Sequence, residues 1–211
     1  AVFFQQEFEK LGGTTAMESY VTNTVDFSSL INDVRAFKPD VIYFSGFCAE
    51  GASLIPQLRR SGFKQPILGA DAADDAQCPE GGGEAFNGFM FTSFGGPEVL
   101  TGKAAERAKA FETEFRKIDP KAPFNGFVLS GADAYNVIVE AIKDAGGTDR
   151  KKVRDALADL QDFPGVTGSI TYKGTDGTPA DRTIAFYAYE VPGPDGKKWA
   201  KVPKLGMQTA E

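Results

Sequence analysis

An α/β fold built on a parallel sheet is what this 211-residue sequence predicts, and three observations predict it. Through residue 94, segments with helical spacing alternate with short strand-like runs, the signature of βα units. One of those runs, "VIYFSGF" (41–47), is almost continuously apolar, as expected of a strand covered on both faces. After "FGGPE" the character changes: three helical segments follow with little strand between them, and strand-like residues return only near the end.

The first helix takes Phe3, Phe4, Phe8 and Leu11 at helical spacing and closes at "LGG". "TTAMESYV" (14–21) reads as a strand. Asp26 is placed to cap a second helix whose Phe27, Leu30, Ile31, Val34 and Phe37 share a face, and "KPD" stops it. A third helix runs from about Ala49 to Arg60, where Pro56 removes a backbone donor and should kink it. "QPILGA" and "GFMFTSF" continue the alternation. Beyond them, Ala104, Ala108, Phe111, Phe115 and Ile118 form one helical face, and Val128, Ala132, Tyr135, Val139 and Ile142 a second. Val153, Ala156, Leu157 and Leu160 form a third. "GSITYK" and "TIAFYAYEV" then read as strands, with "PGPDG" turning the latter back into "KKWAKV".

A βα unit begins with its strand, yet this order begins with a helix. In the common 2-1-3-4-5 sheet order the absent first strand lies between 14–21 and 41–47. Its absence leaves unpaired backbone groups beside an apolar slot. The expectation is a fragment, completed by a further N-terminal segment of the same protein or by another polypeptide.

Composition narrows the chemistry. The net charge of −6 argues against a nucleic-acid partner. No apolar run approaches the roughly 18 residues of a membrane span. With no histidine, the commonest general base and metal ligand is missing, which removes most hydrolase triads and zinc sites. The acidic run Asp71, Asp74 and Asp75 lacks the spacing of a calcium loop, so no metal is expected, and no cofactor motif is present. "GGGE" (81–84) lacks a phosphate-binding lysine and reads as a flexible loop.

Open parallel sheets bind ligands outside the carboxyl ends of their strands, where strand order reverses. Ser45, Gly46, Phe47 and Cys48 therefore stand on the expected rim, and "LGAD" brings Asp71 to the same rim. The two cysteines, Cys48 and Cys78, follow no CxxC pattern and allow either one disulfide or two buried thiols. Their place in neighbouring βα loops favours the disulfide.

The succession "EKLGG", "DFSSLI", "KPDVIYFSGF", "LRRSGF" and "ILGAD" resembles the second lobe of type I periplasmic binding proteins, in the leucine/isoleucine/valine-binding branch that serves ABC transporters. "GADAYNVIVEAIKDAGGTDRKKVRDALADL" and "FPGVTGSITY" are similar to that branch's returning helices and late strand. The resemblance implies two doubly wound parallel-sheet lobes joined by crossovers and closing on a ligand. Residues 1–94 and the terminal strands of 183–211 would then belong to lobe II, and residues 97–180 would return to lobe I. Most of lobe I and the first strand of lobe II would be missing.

By motif, the resemblance implies that Asp71 meets a ligand ammonium and that Phe47 lies against the ligand body, with Ser45 and Gly46 beside them. A carboxylate facing an ammonium in a dry cleft makes a charge-assisted hydrogen bond, and an aromatic ring adds apolar and cation–π attraction. The family often has tyrosine at the position of Phe47 and glutamate at that of Asp71, so a larger or aromatic ligand is as compatible as a branched-chain one. Each residue also has a structural alternative: a turn cap for Asp71, a core ring for Phe47, and a buried hydroxyl for Ser45.

The resulting expectation is a periplasmic solute-binding protein of an ABC importer, free or lipid-anchored, that takes an amino acid or similar small carboxylated metabolite. Its partners would be the permease subunits, and it would not be an enzyme. The alternatives are a ligand-sensing regulatory module of the same fold, an interaction scaffold, and an enzyme on a flavodoxin-like scaffold.

Overall fold

The computed structural model describes residues 1–180 and 183–209, with only the backbone of Thr183 and of 206–209. The last two residues of the expected terminal strands, 210–211, lie outside the described residues. The chain divides into two compact units. The first comprises Ala1–Ser93 and Phe186–Lys204, and the second Phe94–Ala185 and Leu205–Glu211.

In the first unit the elements follow in the order α1 (Val2–Lys10), α2 (Ser28–Phe37), β1 (Ile42–Phe44), α3 (Cys48–Arg60), β2 (Ile67–Gly69), α4 (Gln77–Gly82) and β3 (Met90–Ser93). β1 and β2 pair in parallel with Phe44 opposite Gly69, and β2 and β3 pair in parallel with Gly69 opposite Phe91. Helix α1 ends as the glycines dictate: Gly12 adopts φ 90°, and the Gly13 amide donates to the Phe8 carbonyl at 3.0 Å. Asp26 sits one residue earlier than a cap. Phe27 holds the N-cap position, and Asp26 accepts from the Ser28 amide at 2.9 Å.

Residues 14–21 do not form the expected strand; they carry no regular structure. β1 lies at the end of its sheet and pairs with β2 alone, so nothing in the described residues offers 14–21 a ladder. A strand is a property of a pair, and apolar alternation cannot supply the neighbour. The expected strand 41–47 is also shortened to three residues, because Phe47 already serves as the N-cap of α3. "GGGE" is not a loop: it closes α4 and opens a 3-10 turn at Gly83–Phe86.

Two further strands, β6 (Thr183–Glu190) and β7 (Ala200–Thr209), complete the order β1-β2-β3-β6-β7. They carry the aromatic core across the sheet. Phe91 lies 4.9 Å from Tyr189 and 5.7 Å from Tyr187, and Phe86 lies 5.2 Å from Phe89, measured between ring centroids. All five rings are fully buried, as are Ile55, Leu58 and Ile67. Each such side chain contributes about 1.5–3 kcal/mol on leaving water.

The second unit holds α5 (Gly102–Ile118), α6 (Gly126–Asp144), α7 (Arg150–Ala158) and the antiparallel pair β4 (Phe163–Pro164) and β5 (Ser169–Ile170). Asn125 caps α6 by accepting from the Val128 amide, and Asp149 caps α7 by accepting from the Lys152 amide. The buried face of α6 differs from the expected one. It is Leu129, Asp133, Val137 and Ala141, whereas Tyr135 is 70% exposed. On α5, Ala108 is buried as expected, but Ile118 projects into solvent at the helix end.

The inward face of α6 includes one charge. The Asp133 carboxylate is buried and accepts from the Val166 amide at 2.6 Å, the Thr167 amide at 2.9 Å and the Thr167 hydroxyl at 2.6 Å. A Cβ on Gly165 would come within 2.8 Å of both Asp133 carboxylate oxygens, so the loop reaches the carboxylate only because residue 165 is glycine. Arg107 holds the same loop from α5, donating from Nε to the Gly165 carbonyl at 2.7 Å.

Candidate ligand-binding rim

The carboxyl ends of β1 and β2 each turn at once into a short helical segment, and those turns bring the predicted residues together. After Phe44 the chain passes Ser45 and Gly46 to Phe47, the N-cap of α3, in an extended conformation (φ −91°, ψ 161°). After Gly69 it passes Ala70 into a 3-10 turn at Asp71–Ala73. The parallel register of Phe44 with Gly69 makes these turns neighbours on one edge of the sheet.

The structural alternatives do not hold for three of the predicted residues. Phe47 is not a core ring, since it is 72% exposed. Asp71 is exposed and makes no capping hydrogen bond, although it opens a 3-10 turn. Ser45 is exposed rather than a buried hydroxyl. Gly46 has a steric reason to be glycine: a Cβ there would stand 1.9 Å from the Tyr20 hydroxyl.

The two turns are covalently joined. Cys48 and Cys78 form a disulfide with a Cα–Cα distance of 4.7 Å. It is buried, and the Cys48 sulfur rests 3.7 Å from the carbonyl oxygens of Ala72 and Asp75. The cross-link therefore lies directly against the turn that presents Asp71.

The sequence reading missed several residues around this rim. Tyr20 packs edge-on against Phe27 at 5.4 Å and lies over Phe44 at 6.5 Å. Burial, reinforced by Glu50, raises its phenol above the ordinary range. Its place at the end of the 14–21 run was the signal, since that run ends on the same edge of the fold. Glu50, buried in the first turn of α3, accepts from the Asn23 amide at 3.1 Å. Its carboxylate places negative charge where the helix would otherwise offer amides to an anion. Tyr43 on β1 stacks on Phe4 at 3.9 Å; burial and the nearby Asp71 raise its phenol in turn.

Beneath Asp71 the turn is fastened at every exit. The Asp74 amide donates to the Asp71 carbonyl at 2.9 Å. The Asp74 carboxylate accepts from the Ser93 hydroxyl at 2.7 Å and from Lys201 Nζ at 2.9 Å and 3.1 Å. The Tyr189 hydroxyl donates toward the Ala73 carbonyl at 2.7 Å and lies 3.0 Å from that of Asp75. Burial, with help from Asp74, keeps this phenol protonated far above its usual range.

A cleft of about 190 Å³ lined by Ile31, Val34, Arg35, Leu58 and Phe63 lies at the opposite ends of the strands, between the last turns of α2 and α3. It shares no residue with the rim. Among the described residues, no cluster of three or more cysteine, aspartate or glutamate side chains is gathered to hold a metal ion, and no helix is long and apolar enough to cross a membrane.

The rim thus offers an exposed carboxylate and an exposed aromatic ring on adjacent strand ends, fixed from below. A carboxylate and a ring on one rim suit a cation or ammonium with an apolar body.

A family model described as "Periplasmic binding protein" matches residues 3–197. The chain is 28% identical over 182 residues to the Leu/Ile/Val-binding protein BraC3 of Rhizobium johnstonii, covering 85% of this chain and 47% of that one. It is 29% identical over 168 residues to Leu/Ile/Val-binding protein homolog 3 of Brucella melitensis, covering 78% and 44%. Among solved structures, a leucine binding protein LivK from Thermotoga maritima superposes with a TM-score of 0.84 at 28% identity, over 97% of this chain and 55% of that one. The chain spans about half the length of the curated relatives it matches. The α/β order, the parallel sheet and these matches agree: the chain belongs to the periplasmic binding protein family, has its type I fold, and is similar to the leucine/isoleucine/valine-binding branch.

Proposed function

We propose that this chain supplies most of one jaw, in residues 1–94 and the strands of 183–211, and the returning part of the other, in residues 97–180, of a periplasmic solute-binding protein serving an ABC importer, and that its ligand is an amino acid or a similar small carboxylated metabolite. The observation that supports this most is the pairing of exposed Asp71 and Phe47 at the ends of adjacent parallel strands, over a turn held by a disulfide. Asp71 would take the ligand ammonium and Phe47 would cover its body, with Ser45 and Gly46 lining the approach. The branch to which the chain is similar binds branched-chain amino acids by name. Phenylalanine at 47, in place of a more polar ring, extends the proposal to aromatic ligands.

The rest of the opposing jaw and the strand that would lie beside β1 come, in this reading, from a further segment of the same protein. β1 is the end of its sheet, and the relatives are about twice as long. Closure of the two jaws on the ligand would create the form that the permease recognises, so binding acts by shifting a conformational population and no bond is made or broken.

The test is titration of L-leucine and L-phenylalanine into the protein and its Asp71→Asn variant. A charge-assisted contact contributes about 1.5–3 kcal/mol, so the variant should bind roughly 10- to 100-fold more weakly. Unchanged affinity would remove Asp71 from the site.

A further inference from the structure

We propose that Lys201 is a positioning residue for Asp71: through Asp74 it holds the 71–75 turn in the geometry that presents the Asp71 carboxylate. This rests on the proposed role of Asp71 in ligand binding.

Asp71 itself is exposed, and it sits in a single 3-10 turn of three residues. Such a turn is too short to hold its own geometry, because its hydrogen bonds are few and poorly aligned. What fixes it comes from three strands, two of them more than a hundred residues away. Lys201 on β7 reaches Asp74 with side chains only 17% and 5% exposed. The Lys201 ammonium also lies 4.3 Å over the buried Tyr187 ring on β6. Ser93, the last residue of β3, supplies the second hydrogen bond to Asp74. Asp74 is in turn one backbone hydrogen bond from Asp71.

A buried ion pair is weak evidence for stability, because desolvating both charges offsets most of their attraction. Its consequence here is geometric. Two strands of the sheet converge on one carboxylate, and that carboxylate belongs to the turn under the proposed ligand contact. A methionine at 201 keeps much of the apolar stem but removes the charge, leaving Asp74 buried with only Ser93 among these partners. The turn must then open to hydrate Asp74. An arginine restores the cation.

The experiment is amide hydrogen exchange on the protein and its Lys201→Met and Lys201→Arg variants. Exchange should quicken at least tenfold at the Ala73 and Asp74 amides, which close the turn onto Ala70 and Asp71, in Lys201→Met. The α3 amides should stay as they were, and Lys201→Arg should stay within threefold of the parent at Ala73 and Asp74. Unchanged exchange at Ala73 and Asp74 in Lys201→Met would overturn the proposal, as would quickening that spreads equally through α3. Should Lys201→Met not fold, Asp74→Asn provides the same comparison, since it removes the ion pair and retains an acceptor for Ser93. Binding of L-phenylalanine to Asp71→Asn separates the two ideas. Parent-like affinity there removes Asp71 from ligand binding, while the exchange pattern still decides whether Lys201 orders the turn.

Discussion

Replacing Cys48 and Cys78 together by serine is expected to lower the stability of the first unit by about 3–4 kcal/mol, from the loop-closure entropy of a cross-link spanning 30 residues. Both cysteines are buried, in α3 and α4, and the Cys48 sulfur lies against the Asp71 turn. The single tryptophan, Trp199, packs edge-on against Tyr189 at 5.8 Å and makes a probe for this unit. Urea unfolding followed by its fluorescence should show the midpoint falling. Reduction of the parent should reproduce the loss. A change below about 1 kcal/mol would show that the unfolded chain is not appreciably constrained by the bridge. The effect should also reach the rim, because Cys48 begins α3 immediately after Phe47 and the bridge touches the turn that carries Asp71.

In the second unit the largest expected loss follows Asp133→Ala. Three donors, the Val166 and Thr167 amides and the Thr167 hydroxyl, converge on one buried carboxylate. Each donor left unpaired costs about 1–3 kcal/mol, with partial recovery if water enters the space, so a total near 3–5 kcal/mol is expected. Asp133→Asn should cost roughly half as much, because its amide oxygen still accepts and the Thr167 hydroxyl can turn to accept from its nitrogen. Calorimetric unfolding or hydrogen exchange of the α6 amides measures both. If Asp133→Ala unfolds within 1 kcal/mol of the parent, the loop at 165–167 is held by Arg107 and its own packing instead.

Asp133 also explains where sequence reading stopped. The α6 stripe was expected at Val128, Ala132, Tyr135, Val139 and Ile142 because a charged residue looks like solvent to a hydrophobic pattern. The helix instead turns its Leu129–Asp133–Val137–Ala141 side inward, with the charge among the buried residues. Its partners lie 33 and 34 residues downstream, so no local window contains them. The strand at 14–21 failed for a related reason, since its ladder partner is not among the described residues. By contrast, α1, α2, α3 and the strands at 42–44, 67–69 and 90–93 were legible, because their signals are periodicity and punctuation within a dozen residues.

The rim was half legible. The rule that ligands meet strand ends placed Ser45, Gly46, Phe47 and Asp71 on one edge, and neighbouring βα loops favoured the Cys48–Cys78 bridge that the structure contains. The support under Asp71 was not legible. Lys201 and Tyr189 reach the turn across 127 and 116 residues of sequence, and in isolation each reads as an ordinary strand residue.

In the proposed function the rim selects a ligand by its ammonium. The most direct measurement compares two ligands that differ only there: thermal unfolding of the protein with L-phenylalanine and with 3-phenylpropanoate, each at equal concentration. A ligand that binds only the native state stabilises it by RT ln(1 + [L]/Kd), about 2.7 kcal/mol at a hundredfold excess over Kd. The account predicts a rise in Tm with the amino acid, little or none with the des-amino acid, and loss of that difference in Asp71→Asn. Equal stabilisation by both ligands, or by the des-amino acid alone, would contradict it.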